Sequence, residues 1–128
     1  MTQRLTRNQS LVLDALRNEG PVSAYTLLDQ LRAHGFRAPL QVYRALDKLL
    51  DMGLVHKLES LSAFVACARP NCHESGLIAF AICDSCGQVS EFSDAVVRDR
   101  LKAWTEREGF MPKRTTMEIR GECRACAA

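Results

Sequence analysis

Apolar residues recur at helical spacing three times in the first fifty residues of this chain. Leu11, Val12, Ala15 and Leu16 make the first stripe. Thr6, followed three residues later by Gln9, reads as a capping box at its start, and Gly20 with Pro21 ends it. Ser23 suits the N-cap of a second helix, which buries Leu27, Leu28 and Leu31 and stops at Gly35. Pro39 opens a third helix near its first turn, where a missing N–H costs nothing. Val42, Leu46, Leu49 and Leu50 face inward there, and Gly53 is the C′ residue. The period then shortens. Residues 54–59 and 63–67 are β-rich, with Ser60, Leu61 and Ser62 as the turn between them. Three short helices and a hairpin predict a winged helix-turn-helix.

The second half has a different grammar. Residues 68–76 are polar and turn-rich, the natural hinge between domains. Residues 77–82 form a nearly continuous apolar run, which predicts a buried strand, and residues 88–92 look like its hairpin partner. Asp94 caps a helix that carries Val97, Leu101 and Trp104 on one face and ends at Gly109. Residues 115–121 supply a third strand. The expected class is α+β: a winged helix over residues 1–67, a hinge over 68–76, and a small α/β domain over 77–128. That second domain has too little apolar content to stand comfortably alone. A bound metal and a partner subunit would make up the deficit.

The metal is suggested by the cysteines. Cys83-Asp84-Ser85-Cys86 and Cys123-Arg124-Ala125-Cys126 have the same spacing, and two residues between cysteines let both sulfurs of a tight turn point at one centre. Two such knuckles supply the four thiolates of a structural Zn²⁺ site. The spacer, residues 87–122, is long enough for a strand, a helix and a strand, so the metal would fasten the chain's end to the strand that begins this half. The alternatives are two disulfides, or four unrelated thiols.

Composition narrows the class. The chain has 128 residues, 47% hydrophobic and 25% charged, with a net charge of +2. No apolar run approaches membrane-spanning length, and the N-terminus lacks a signal peptide's apolar region, so a cytoplasmic protein is expected. Cysteines stay reduced there, which favours ligands over bridges. No His-Glu-x-x-His, no deaminase-type His-x-Glu with a Pro-Cys-x-x-Cys, and no phosphate loop is present, so an enzyme is not expected. The net charge is too small to announce nucleic acid, but its excess lies in the first 66 residues, with 8 Lys/Arg against 6 Asp/Glu.

On the third helix, Gln41, Tyr43, Arg44 and Lys48 project opposite the leucine stripe. Gln reads adenine and Arg reads guanine in a major groove, while Tyr and Lys hold phosphates. Lys57 in the hairpin, with Arg4 and Arg7 at the start, could add backbone contacts. The same residues read equally well as solvated charges on a helix face. A second set with ligand chemistry is His56, Cys67, His73 and Glu91. Singly, each has an ordinary explanation: a half-buried strand histidine, a small core thiol, a loop residue and a surface charge. Periodicity does not assemble them.

The chain resembles the ferric uptake regulator family, and within it the zinc-sensing branch. The likeness is carried by Arg-Leu-Thr at 4–6, Ser-Ala-Tyr at 23–25, Val-Tyr-Arg-Ala-Leu-Asp at 42–47 and Val-His-Lys-Leu-Glu-Ser at 55–60. It continues in Ile-Cys-Asp-Ser-Cys-Gly at 82–87 and Gly-Glu-Cys-Arg-Ala-Cys at 121–126. The resemblance implies a homodimeric, zinc-responsive repressor of zinc uptake genes, with residues 77–128 as dimerisation domain and double-stranded operator DNA as partner, bound by one dimer or two. It implies two zinc ions per chain: a structural one at Cys83, Cys86, Cys123 and Cys126, and a regulatory one at His56, Cys67, His73 and Glu91, with Cys72 as the substitute for His73. A thiolate in the second site suits zinc over Fe(II) or Mn(II). Tyr25 and Arg44 match DNA-contacting positions, and Asp29 and Arg32 match positions that pair neighbouring dimers. The sequence departs from the family at Leu40-Gln41, where Pro-Thr is usual, and at Cys72. It also lacks an extra N-terminal helix and a His/Cys-rich tail. A thiol redox switch that releases zinc, or another metal or peroxide sensor of this family, is the alternative reading.

Overall fold

The structure is a computed structural model that describes residues 4–68 and 77–127. The chain divides into two compact units, Met1–Cys67 and Ala68–Ala128. The hinge expected over residues 68–76 lies outside the described residues, apart from Ala68. Among the described residues, no helix is long and apolar enough to cross a membrane.

The first unit runs α1 (Arg7–Glu19), α2 (Ala24–Leu31), α3 (Pro39–Asp51), β1 (Val55–Leu58) and β2 (Ala63–Ala66). Its starts follow from capping. The Thr6 hydroxyl accepts the Gln9 N–H at 3.2 Å, and the Gln9 side chain accepts the Thr6 N–H at 3.0 Å, so the box is complete. The Ser23 hydroxyl accepts the Thr26 N–H at 3.1 Å at the start of α2. That helix ends earlier than Gly35 alone suggests. A 3₁₀ turn, Arg32–His34, tightens its exit, and Gly35 then takes φ +100°, a conformation open to glycine without cost. Val12, Leu13 and Leu16 of α1 meet Leu27, Leu28 and Leu31 of α2 and Val42, Leu46 and Leu49 of α3 in one buried cluster, closed by Phe36, Val55 and Phe64.

The hairpin pairs β1 with β2 antiparallel, Val55 opposite Ala66 and His56 opposite Val65. Val22 exchanges both backbone bonds with Phe64, at 3.0 and 2.8 Å, and so ties the segment between α1 and α2 to the hairpin's edge. The helix-helix-helix-hairpin order is the one the periodicity predicts.

The second unit holds β3 (Ile78–Cys83), β4 (Val89–Phe92), α4 (Ala95–Arg107), β5 (Thr116–Gly121) and a short α5 (Arg124–Ala127). The sheet order is β4-β3-β5. β4 runs antiparallel to β3, whereas β5 runs parallel to it, with α4 in the connection between them. Asp94 caps α4 as expected, its carboxylate accepting the Val97 N–H at 3.0 Å. The apolar face of α4 is largely open. No residue of α4 is buried, and Leu101 and Trp104 are exposed in the single chain. Trp104 meets Phe110 instead, ring centroids 6.4 Å apart.

Candidate metal centre

The parallel register of β3 and β5 sets Cys83 beside Gly121. Each strand then runs straight into its knuckle, so both knuckles emerge at one end of the sheet. One sulfur from each of Cys83, Cys86, Cys123 and Cys126 lies within 4.8 Å of the other three. All four are thiols. Cys86 Sγ and Cys123 Sγ stand 3.8 Å apart. A tetrahedron with Zn–S bonds of about 2.3 Å has edges of about 3.8 Å, so this pair is already at ligand separation. The backbone N–H groups of Cys86 and Cys123 point at Cys83 Sγ from 3.4 and 3.3 Å.

These donors act on the thiol chemistry. The Cys123 N–H, with help from those of Cys86 and Ser85, lowers the Cys83 thiol from 9.0 to about 6. The adjacent sulfur of Cys123, then those of Cys83 and Cys86, push Cys126 up to about 12. At Cys86 the Gln88 backbone N–H pulls downward, but the Cys83 and Cys123 sulfurs outweigh it and the thiol ends above its ordinary value. Four thiolates cannot crowd here without a cation, and a divalent ion removes the conflict. The donor set fits Zn²⁺, with four soft ligands and N–H groups to share the sulfur charge.

The second constellation is described in part. His56 pairs with Val65 across the hairpin, and the Cys67 N–H donates to the Leu54 carbonyl at 2.8 Å. In that register His56 and Cys67 are diagonal neighbours on one face, and a ring nitrogen of His56 lies within 4.8 Å of Cys67 Sγ. His56 is buried. Glu91 belongs to the second unit, on β4. Its carboxylate accepts the N–H of Ala68, the residue that follows Cys67, at 3.1 Å. His73 and Cys72 lie outside the described residues.

The expected nucleic-acid residues occupy exposed positions, except Gln41, which is half-buried. Tyr25 on α2 and Tyr43, Arg44 and Lys48 on α3 are exposed, as is Arg4. Lys57 is exposed but stands 3.6 Å from Glu59, and Arg7 spends one N–H on the His34 carbonyl at 2.9 Å. Asp29 and Arg32 pair with each other within the chain at 3.3 Å. Gln41 differs from the expected adenine reader. Its carbonyl oxygen turns back to accept the N–H groups of Arg37 and Ala38, at 2.6 and 3.0 Å. Ala38 has no side-chain acceptor for the start of α3, and the Gln41 side chain supplies cap bonds in its place. Both oxygen lone pairs are engaged, which leaves only the amide nitrogen for an outside partner.

Two features of the metal end escape sequence reasoning: α5, and the ties of Asp84 and Ser85 to residues 36 and 37 positions later in the chain. Only strand register reveals such ties.

The profile of the Ferric uptake regulator family matches residues 1–120. The zinc uptake regulation protein of Escherichia coli (strain K12) is 40% identical over 128 residues, spanning 96% of this chain and 72% of that protein. The structure of holo XcZur superposes with a TM-score of 0.86 at 44% identity, covering 99% of this chain and 89% of that one. A zinc uptake regulator complexed with zinc and DNA also superposes with a TM-score of 0.86, at 39% identity, over 97% of this chain and 83% of that one.

Proposed function

This chain belongs to the ferric uptake regulator family, and from that premise we propose that it is a zinc-responsive transcriptional repressor. It binds operator DNA as a homodimer when its regulatory zinc site is filled, and so controls zinc uptake genes in the cytoplasm. Catalysis has no part in this role. The observation that carries the choice of zinc is the pairing of the Cys67 thiol with the His56 imidazole on one hairpin face. A soft sulfur beside a borderline nitrogen selects zinc over Fe(II) and Mn(II), which prefer imidazole with carboxylate. The likeness to a zinc uptake regulator solved with zinc and DNA supports the same reading.

Each chain holds two zinc ions in this proposal. Cys83, Cys86, Cys123 and Cys126 hold the structural one, which supplies the second unit with cohesion that its small core lacks. His56 and Cys67 from the first unit, Glu91 from the second, and His73 hold the regulatory one. Ligands drawn from both units make the site a clamp. Its filling favours the arrangement in which two recognition helices of a dimer meet successive major grooves, with a coupling of about 1–3 kcal/mol. Tyr25, Tyr43, Arg44 and Lys48 contact DNA, with Gln41 through its amide nitrogen and Lys57 from the wing. Asp29 and Arg32 exchange their pairing within the chain for contacts to a second dimer where an operator holds two.

Cys67→Ser tests the proposal. It replaces a thiolate by a neutral hydroxyl of similar size and leaves the four-cysteine centre intact. The expected variant is a folded dimer with one zinc fewer per chain. Its operator affinity no longer responds to buffered zinc, while weak, salt-sensitive binding to any DNA persists. A variant that keeps both zinc ions and its zinc-dependent operator binding removes Cys67 from the sensor.

A further inference from the structure

We propose that Asp84 and Arg120 form an electrostatic clasp that sets how long the four-cysteine centre holds its zinc. Arg120 acts in it as a positioning and charge-balancing residue. The inference rests on the zinc reading of that centre. Both residues inside the first knuckle reach across to the approach of the second. Arg120 donates through Nε and Nη2 to one oxygen of Asp84, at 2.9 and 2.8 Å. The Ser85 hydroxyl donates to the Glu122 carboxylate at 3.2 Å, and the Asp84 N–H donates to the Gly121 carbonyl at 2.7 Å. Together with the Cys123 N–H on Cys83 Sγ, these bonds draw the two cysteine pairs together from outside the sulfur cluster.

The charge balance explains why the cation matters. Zn²⁺ with four thiolates carries a net double negative charge. Asp84, lying between two ligands in sequence, adds another negative charge beside it. The guanidinium of Arg120 offsets the carboxylate and holds it in place through a two-pronged contact that an ammonium cannot reproduce. Without Arg120 the carboxylate stands unpaired beside the thiolates, and both the charge and the geometry then favour loss of the metal. The pair is about half exposed, so its effect on folding is small. Its leverage is on the ligands that it orients.

The test is zinc release from the loaded, full-length chain to a colorimetric chelator, followed for the slowest-released ion. Arg120→Ala should release it about tenfold faster than the parent, with little change in melting temperature. Adding Asp84→Asn to Arg120→Ala should restore most of the loss, because the unpaired charge is gone. Added salt should narrow the gap between Arg120→Ala and the parent. Arg120→Lys should fall between them, and keeps the test alive if the alanine variant folds poorly. A parent rate in Arg120→Ala, or a double variant no slower than the single one, overturns the clasp. A parent chain without zinc on its four cysteines overturns the zinc reading first and the clasp with it, and that result precedes any variant.

Discussion

Gln41 shows how one side chain can be asked to do two things. Its oxygen caps α3 through two backbone N–H groups, and its nitrogen is what remains for the DNA contact proposed above. The two roles separate by substitution. Gln41→Ala should lose the cap and cost about 1 kcal/mol, as cap removals do. Gln41→Glu keeps an acceptor for both N–H groups and places a negative charge at a helix N-terminus, where the dipole favours it. Thermal melts should therefore find the glutamate variant at least as stable as the parent and the alanine variant less so. Both should weaken operator binding, the glutamate variant more strongly because its new charge faces phosphates. A glutamate variant that melts well below the parent would show that the cap bonds are not what holds Gln41. An adenine-reading glutamine needs its oxygen and nitrogen together, so the cap makes Gln41 a donor-only contact. The sequence shows Ala38 with nothing to offer at the N-cap, but not that the Gln41 oxygen turns back to Arg37 and Ala38 in its place, which only the fold reveals.

The knuckle pair is the element whose chemistry the strands decide. β3 and β5 deliver Cys83 and Cys123 side by side, and the Cys123 N–H depresses the Cys83 thiol to about 6 while Cys126 is pushed up to about 12. Zinc binding must remove every remaining thiol proton. At about pH 7.5 Cys83 has already lost its proton in the metal-free fold and contributes almost none. Below its value of about 6 it is protonated, and contributes one. Protons released per zinc at this centre should therefore rise by about one as pH falls from about 7.5 to about 5, and zinc affinity should fall more steeply in that range. Titration calorimetry in buffers of different ionisation heat reads this directly. A proton count that stays flat across the range would mean that Cys83 has no depressed thiol. The same linkage gives the metal-free fold a stability contribution that is present above the ordinary thiol range and lost as pH falls through about 6.

For the molecule as a whole, the second unit is underfurnished. None of α4 is buried, and Leu101, Trp104, Phe110 and Ile119 are exposed in the single chain. In the proposed dimer, the structural zinc supplies one part of the missing cohesion and a second copy supplies the other. Cys86→Ser breaks the first, and should lose the tightly held zinc and the dimer together. Trp104→Glu burdens only the second, and should shift the mass in solution toward monomer while the four-cysteine zinc stays bound. Zinc per chain and sedimentation on both variants decide it. A Cys86→Ser chain that remains a stable dimer without that zinc would detach the metal from assembly.

What the sequence determined by itself is local: helix starts at Thr6, Ser23, Pro39 and Asp94, the stripes that face the first core, and two Cys-x-x-Cys knuckles whose spacing suits one shared centre. Each depends on residues within a few positions of one another, or on a spacing that has few other uses. The tertiary structure decided what depends on register. It set β5 parallel to β3, which brings Cys123 to Cys83 and Arg120 to Asp84. It placed His56 and Cys67 on one hairpin face, where a slip of one residue would have sent one of them to the other side. It also left the stripe of α4 exposed, because a stripe at helical spacing records that a face is apolar and not whether its own chain covers it.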